Sequence, residues 1–351
     1  MTTPRLSWDC GTAYDLFLSL FILHDPEKVG LRGAWAAGVR ARLPGEAREI
    51  LADIHGFPRF ADQWVYQLPA PKDAATALRV LAETPAEERL SALFLSEWVP
   101  AEASETLREV AARGSWSEAD VERLRASNTE KEIKRAAWEK EIQKMLNWWA
   151  NAATTGEAYL SALQSYYEVF YAEEEARIRP ALETALQKAQ ELAAHHPLAQ
   201  LLELLSQGVR YAGPADVTEM TLIPVFWTTP LILEAPIKEG HILFLFGGRP
   251  AEMSLVPGEV VPDLMYQALK ALADPTRLRI LRYLGEGPLT PTELAHRLRL
   301  RAPTVVHHLH TLRLARLVYL MFDEGVERRY ALRYEAVEEN LEGLKQFLQG
   351  K

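Results

Sequence analysis

The chain is almost without cysteine and has no long apolar run, and both absences exclude classes of protein. Its 351 residues include one cysteine, Cys10, which rules out an intramolecular disulfide and a metal site built from several cysteines. No apolar stretch is long enough to span a membrane, and no N-terminal segment has the pattern of a signal peptide. We therefore expect a cytoplasmic protein with no membrane partner. The lone thiol is interpreted as a small apolar filler, with a redox sensor as the alternative.

The sequence also lacks the common motifs of catalysis and of phosphate binding. It has no glycine-rich phosphate loop, no Gly-x-Ser-x-Gly elbow and no recognisable nucleophile beside a base. The pairs His24-Asp25 and His195-His196 are adjacent in sequence, so they lack the spacing that would place metal ligands on one face of a helix. We predict no catalytic residue, no metal site and no cofactor, and we interpret the acidic run at 173–175 as a solvent-exposed helix face.

Acidic charge predominates overall, but it is unevenly distributed. The formal net charge is −9; residues 1–261 carry 25 basic and 37 acidic side chains, whereas residues 262–351 carry 14 and 11. Eight arginines and two glutamates lie within 277–317, which gives that segment a net charge of +6. A local basic region is typical of a nucleic-acid contact, and the acidic remainder disfavours non-specific binding to DNA.

Residues 1–215 have the composition and periodicity of a helical domain. Alanine, leucine and glutamate predominate, and apolar residues recur at helical spacing between breaks that contain proline or glycine. Residues 216–261 instead predict a small β-hairpin or sheet, packed on the helical body, and a linker. Its candidate strands are 217–225, 231–233 and 241–246. The fold class is therefore mainly α, with a third segment at 262–351.

The last segment has the element order of a winged helix-turn-helix. Helices are predicted at 266–273, 276–284, 291–298 and 302–314, strands at 317–321 and 328–332, and a closing helix at 334–348. A capping box of Thr290 and Glu293 begins the third helix, and residues 323–325 supply the turn of the wing. This order places the fourth helix in the DNA major groove.

The fourth helix has two different faces. Val305, Leu309 and Leu312 share an apolar face that we expect to be buried. Hydroxyl and imidazole side chains, which can contact base edges and phosphates, share the opposite face, and no acidic residue lies there. The residues predicted to contact DNA are Arg299, Arg301, Thr304, His307, His308, His310, Thr311, Arg313, Arg328 and Arg329, with Arg316 as a further phosphate contact.

Two stretches of this segment resemble the ArsR family of transcriptional regulators. They are 268–281, which reads Ala-Leu-Lys-Ala-Leu-Ala-Asp-Pro-Thr-Arg-Leu-Arg-Ile-Leu, and 294–318. The resemblance implies a homodimer built on the first and last helices of the segment and a two-fold related operator of double-stranded DNA. Residues 7–23, with parts of 222–249, are more weakly similar to longer ArsR-type regulators that carry an extra N-terminal domain.

The sequence departs from the family at positions that bear on DNA contact. The family usually has a small capping residue where Arg301 stands, serine at Val306, and glycine at Arg299 and Arg316. Arginine has no acceptor for the free N–H groups at the start of a helix. We predict that a DNA phosphate supplies the missing negative charge at Arg301.

Metal sensing through the family's sites is not expected. The resemblance implies either a Cys-x-Cys pair in the third helix of the segment or Asp, His and Glu ligands on the last. Here 290–298 has no cysteine and 334–348 has no histidine.

These patterns predict a homodimeric DNA-binding transcriptional regulator, expected to be a repressor. All nine tryptophans lie in residues 1–261. The N-terminal part therefore either forms an aromatic pocket for a non-metal, small-molecule effector or is a structural core that scaffolds the dimer. The alternatives are an enzyme or a protein-interaction protein with an appended winged helix. The missing catalytic motifs argue against the enzyme, and the arginine cluster argues against the interaction protein.

Overall fold

The computed structural model describes residues 4–54, 61–96, 99–127, 135–210, 216–322 and 328–349, with side chains left out at 135–139. These residues are mainly α-helical, as predicted. None of the described helices is long and apolar enough to cross a membrane.

Twelve α-helices form most of the described N-terminal part, which we call the body. They are α1 (Thr12–His24), α2 (Gly33–Ala41), α3 (Gly45–Ile54), α4 (Asp62–Gln67), α5 (Ala74–Glu83), α6 (Arg89–Phe94), α7 (Ala101–Arg113), α8 (Glu118–Ser127), α9 (Arg135–Ala150), α10 (Ala152–Tyr166), α11 (Ala172–His195) and α12 (Leu198–Leu205). A π-helical segment, Tyr167–Tyr171, joins α10 to α11.

A four-stranded sheet completes the body. Its strands are β1 (Arg5–Trp8), β3 (Glu219–Val225), β4 (Leu233–Lys238) and β5 (His241–Gly247), while β2 (Val209–Arg210) belongs elsewhere. The order is β1-β3-β5-β4, and only β4 runs antiparallel to its neighbour. The predicted β-element is therefore present. Strand β1 could not be predicted, because its partner β3 lies more than 200 residues away in the sequence.

The sheet and the helices share one apolar core. Ile223, Phe226 and Trp227 are fully buried together with helical residues such as Leu16 and Leu163. The boundary predicted at 215/216 therefore crosses a continuous core, because burial of the sheet depends on the helices that cover it.

The interpretation of the acidic run 173–175 as a solvent-exposed face holds for Glu173 but is wrong for the next two residues. Glu174 and Glu175, expected on a solvent-exposed face, are 2% and 5% exposed. Glu175 accepts hydrogen bonds from the backbone N–H of Ala74, at 2.9 Å, and from the hydroxyl of Thr12. Glu174 pairs with Arg177 on the next turn of α11. Each buried carboxylate thus has partners that offset the loss of water.

The C-terminal module has its own core and the predicted element order. It contains α13 (Asp263–Leu272), α14 (Pro275–Leu284), α15 (Pro291–Leu298), α16 (Ala302–Leu314), β6 (Val318–Met321), β7 (Arg329–Leu332) and α17 (Tyr334–Leu348). Strands β6 and β7 pair antiparallel and form the wing. The turn predicted at 323–325 lies outside the described residues.

The body also contributes a strand to the wing. β2 follows α12 and pairs parallel with β6, with Val209 opposite Leu320 and Arg210 opposite Met321. The guanidinium of Arg210 lies 3.5 Å from the ring centroid of Tyr319. Strand β6 of the wing is therefore the central strand of a three-stranded sheet, β2-β6-β7, that joins the two parts of the chain.

Candidate nucleic-acid interface

Local sequence signals determine the geometry of the helix-turn-helix. Thr290 and Glu293 form the predicted capping box, with the Glu293 carboxylate 2.7 Å from the N–H of Thr290. Arg299 then adopts a left-handed conformation, φ 57°, which ends α15 and turns the chain into α16. Arg316 does the same after α16, with φ 59°. These angles explain why glycine is usual at both positions in the family, because a side chain is disfavoured there.

The apolar face of α16 is buried as predicted. Val305, Leu309 and Leu312 have no exposed surface and belong to the core of the module. Their burial fixes the rotation of the helix and therefore decides which side chains face outward.

The N-terminal half of α16 is open to solvent. Arg299, Arg301, Thr304 and His307 are exposed, and no side chain caps the start of the helix. The positive end of the helix dipole meets an arginine there, an arrangement that attracts an anion. Val306, 49% exposed, adds an apolar contact surface beside them. Sequence reasoning left Val306 out because it treated the position only as a departure from serine.

The C-terminal half of α16 is covered by the body, and Arg313 is 5% exposed. Its guanidinium donates to the carbonyl oxygens of Ser206, Gln207 and Pro230 at 2.6, 3.1 and 3.4 Å. The prediction that Arg313 contacts a DNA phosphate does not fit this placement, because its donors already bond the body. The sequence could not show this, since those carbonyls lie more than 80 residues away.

Leu314, the neighbour of Arg313, is covered as well, at 5% exposed. His310 keeps solvent exposure, but its imidazole lies close to the backbone of Lys28, in the turn after α1. Burial lowers the pKa of His310 below its ordinary value, although the Lys28 backbone opposes this. Arg316, the further predicted phosphate contact, has buried Nε and Nη2 atoms. This end of the helix is therefore a joint between module and body.

The other predicted residues lie at the margins of the open half. Burial, which outweighs the attraction of Asp274, lowers the pKa of His308. The hydroxyl of Thr311 donates to the carbonyl of His307 at 3.1 Å and is half-buried. On the wing, Arg328 is exposed with its guanidinium 5.3 Å from the ring centroid of Phe322, and Arg329 is half-buried.

Burial divides the eight arginines of the basic segment into two groups. Exposed arginines remain available to a polyanion: Arg279, Arg282, Arg297, Arg299 and Arg301. The other three are directed inward: Arg277, which bonds the carbonyls of Lys270 and Ala271, Arg313 and Arg316. The basic region predicted from composition is therefore smaller at the surface than in the sequence.

The body contains a small cavity with a volume of about 10 Å³, the space of one water molecule. Its lining is Tyr14, Phe17, Leu18, Asp62, Val65, Leu233 and Leu245. Among the described residues no three His, Cys, Asp or Glu side chains are grouped as metal ligands would be. Burial raises the pKa of Cys10 to about 12, which suppresses the reactive thiolate and favours the filler interpretation.

The buried carboxylate Asp15 has a structural partner set. It accepts backbone N–H bonds from Phe226 and Trp227 at 2.9 to 3.0 Å, which joins α1 to the end of β3. Burial outweighs these bonds and raises the pKa of Asp15 to about 7.

Comparison with known proteins concerns the module alone. A family model described as a helix-turn-helix domain matches residues 272–319. The HTH-type transcriptional regulator CmtR of Mycobacterium tuberculosis (strain ATCC 25618 / H37Rv) is 48% identical over 63 residues, 18% of this chain and 52% of that protein. The transcriptional repressor SdpR of Bacillus subtilis (strain 168) is 35% identical over 54 residues, 15% of this chain and 60% of that protein. The chain thus spans little more than half the length of these curated relatives.

A solved crystal structure of an ArsR family transcriptional regulator is similar to 26% of this chain and 96% of its own, at 30% identity and a TM-score of 0.22. The element order and the sequence matches identify the C-terminal module as an ArsR-type winged helix-turn-helix. The family resemblance predicted from the sequence is confirmed for this part.

Proposed function

We propose that the protein is a DNA-binding regulator of transcription whose contact surface is the open N-terminal half of α16. The observation that carries this proposal is the exposed start of that helix, which no side chain caps, with Arg299 and Arg301 at the positive end of the helix dipole. No acidic residue lies between 294 and 316. Phosphate contacts at this end would orient the helix, while Thr304 and His307 face base edges in the major groove.

The proposal includes a homodimer formed by the last helix. An apolar stripe recurs on α17 at alternating intervals of three and four residues: Tyr334, Val337, Leu341, Leu344 and Leu348. Tyr334, Leu341 and Leu348 are 65%, 48% and 74% exposed. A stripe of this spacing buries its side chains well against a second helix of the same kind. A dimer would present two copies of α16 to a two-fold related operator.

Repression, a cytoplasmic location and an effector for the body are further parts of the proposal. The similarity to SdpR, a transcriptional repressor, supports the first. The contacts of the body with α16 and the wing give it a direct route to the DNA-binding surface, as an effector domain would need.

Fluorescence anisotropy with labelled DNA from upstream of the coding sequence tests DNA binding. An Arg299→Ala, Arg301→Ala double variant should lose at least tenfold in affinity, because two phosphate contacts disappear. Arg108→Ala is the charge-matched control, since Arg108 is exposed on α7, far along the chain from the module. Equal affinities for the double variant and the control would contradict the proposed surface.

Light scattering after size exclusion tests the dimer. Leu341→Glu should convert the dimer to a monomer, because it places a charge in the centre of the α17 stripe. Gln346→Glu adds the same charge to the same helix outside the stripe and should leave the dimer intact. A monomeric wild type, or a dimer that survives Leu341→Glu, would contradict this assignment.

A further inference from the structure

Four arginines meet where the module joins the body. Arg313 and Arg333 both donate to the carbonyl oxygen of Gln207, at 3.1 and 3.4 Å, so their guanidinium groups lie side by side. Arg313 also reaches the carbonyl of Pro230, and Arg249 donates to the adjacent carbonyl of Thr229 at 3.3 Å. Three positive groups therefore converge on two short stretches of backbone.

Arg316 is the fourth member, and it differs from the others in its partners. Its Nε and Nη2 atoms are buried and have no hydrogen-bond partner among the described residues. Its backbone is in the left-handed region, with φ 59°. Burial, together with the charges of Arg249, Arg333 and Arg313, lowers its pKa to about 9.

Counter-charges at the joint do not balance the four arginines. Asp263 lies 3.4 Å from Arg249 and Glu335 lies 3.4 Å from Arg333. Glu339 is the carboxylate whose charge stabilises the Arg316 guanidinium, and it is exposed on α17. Four positive groups thus face three negative ones, and buried donors without a partner remain on Arg316, at Nε and Nη2, and on Arg249, at Nε.

The two free donors of Arg316 also have a specific geometry. Nε–H and Nη2–H form one edge of the guanidinium and point in parallel, which matches two oxygens of a single oxyanion. An unsatisfied buried donor pair costs free energy until such a group is present.

From this arrangement we propose that the joint is a binding site for a small free oxyanion, a phosphate or carboxylate, held by the Nε/Nη2 edge of Arg316 beside Arg249, Arg313 and Arg333. The bound anion offsets the repulsion among the arginines and stabilises the docked arrangement of module and body. Because Arg313 lies on α16 itself, the proposal assigns the regulator's effector to this class of anion and its binding site to the joint. This regulatory role rests on the proposed function, whereas anion binding does not.

Thermal unfolding without DNA tests the site, with inorganic phosphate and acetate as probes against sodium chloride of equal ionic strength. Phosphate or acetate at 10 mM should raise the Tm of the wild type by about 2–4 °C. Arg316→Gln should abolish the rise, and its Tm in chloride should stay the same or increase, because it removes an uncompensated buried charge. Arg108→Gln removes an exposed charge from the body and should retain the rise.

A wild type that neither anion stabilises, or an equal rise in Arg316→Gln, would overturn the site. If Arg316→Gln unfolds at a temperature too low for the thermal comparison, isothermal titration calorimetry with phosphate at 25 °C measures anion binding directly. Anisotropy with DNA, in the presence and absence of phosphate, then separates the two proposals. A Tm rise with DNA affinity that does not respond to phosphate supports the site and contradicts its regulatory role.

Discussion

The two ends of α16 have opposite surroundings, although arginine stands at both. At the start of the helix Arg301 is exposed, and its side chain makes no capping hydrogen bond. At the other end Arg313 is buried and bonds three carbonyls of the body. The difference teaches that a run of basic residues on one helix need not be one electrostatic surface. Contact with a segment distant in the sequence buries one end of the helix, and the arginine there becomes an internal contact between the module and the body.

The buried end of α16 also connects the body to the proposed DNA-contact surface. The segment 206–210 bonds Arg313 through its carbonyls and pairs with the wing through β2. A movement of this short segment would displace the recognition helix and the wing together, which would couple the body to the proposed contact surface.

The largest effect is expected from breaking the buried end. Arg313→Ala should lower the free energy of unfolding by about 2–4 kcal/mol, because the carbonyls of Ser206 and Pro230 lose the Arg313 donor, that of Gln207 keeps only Arg333, and a cavity is created. Arg301→Ala should change it by less than about 0.5 kcal/mol. Urea unfolding followed by circular dichroism measures both. Similar stabilities for the two variants would show that the ends do not differ.

A smaller effect of opposite sign is expected at the open end. Arg301→Ser should raise the free energy of unfolding by about 1 kcal/mol, because serine caps the helix and the charge at the positive dipole end is removed. The same variant should bind DNA more weakly than the wild type. Increased stability with unchanged affinity, by unfolding and anisotropy, would leave Arg301 as a poor cap with no role in binding.

Acidic pH should weaken the joint through His310. Its pKa in the folded protein is lowered, so the unfolded chain binds more protons as the pH falls below about 6.5. The free energy of unfolding of the wild type should therefore decrease between pH 7 and 5 by more than that of His310→Gln. His307→Gln, an exposed neighbour, is the control. Asp15 has a raised pKa and therefore lowers the free energy of unfolding as the pH rises from 4 to 7. It is present in all three proteins, so its contribution cancels in the comparison.

The smallest expected effect is that of metal ions. Stoichiometric Zn²⁺ or Cd²⁺ should leave the affinity for DNA unchanged, because the module lacks the family's cysteine and histidine ligands. Release of DNA at one metal ion per chain, in the same anisotropy assay, would reveal a ligand set that the sequence does not indicate.

The module could be predicted closely because its signals are local. The Thr290 capping box, the proline at the start of α14 and the apolar spacing of α16 each act within a few residues, and the structure contains all three. The apolar spacing of α16 also predicted which of its residues would be exposed at the candidate site.

The long-range features could not be predicted in this way. The pairing of β1 with β3, the strand that the body adds to the wing, and the partners of Arg313 all join residues far apart in the sequence. Glu174 and Glu175 were misjudged for the same reason, since α1 and α5 supply some of the groups that bury them. Periodicity indicates which side of a helix is apolar, but it does not show that a polar side will meet a polar partner.

The dependence of DNA affinity on salt tests the difference between the two ends most directly. The slope of log Kd against log salt concentration should fall by about 0.9 in Arg301→Ser, which loses one phosphate contact. It should remain at the wild-type value in Arg316→Gln, because that arginine faces the body. An equal fall in both variants, or no fall in Arg301→Ser, would contradict the account.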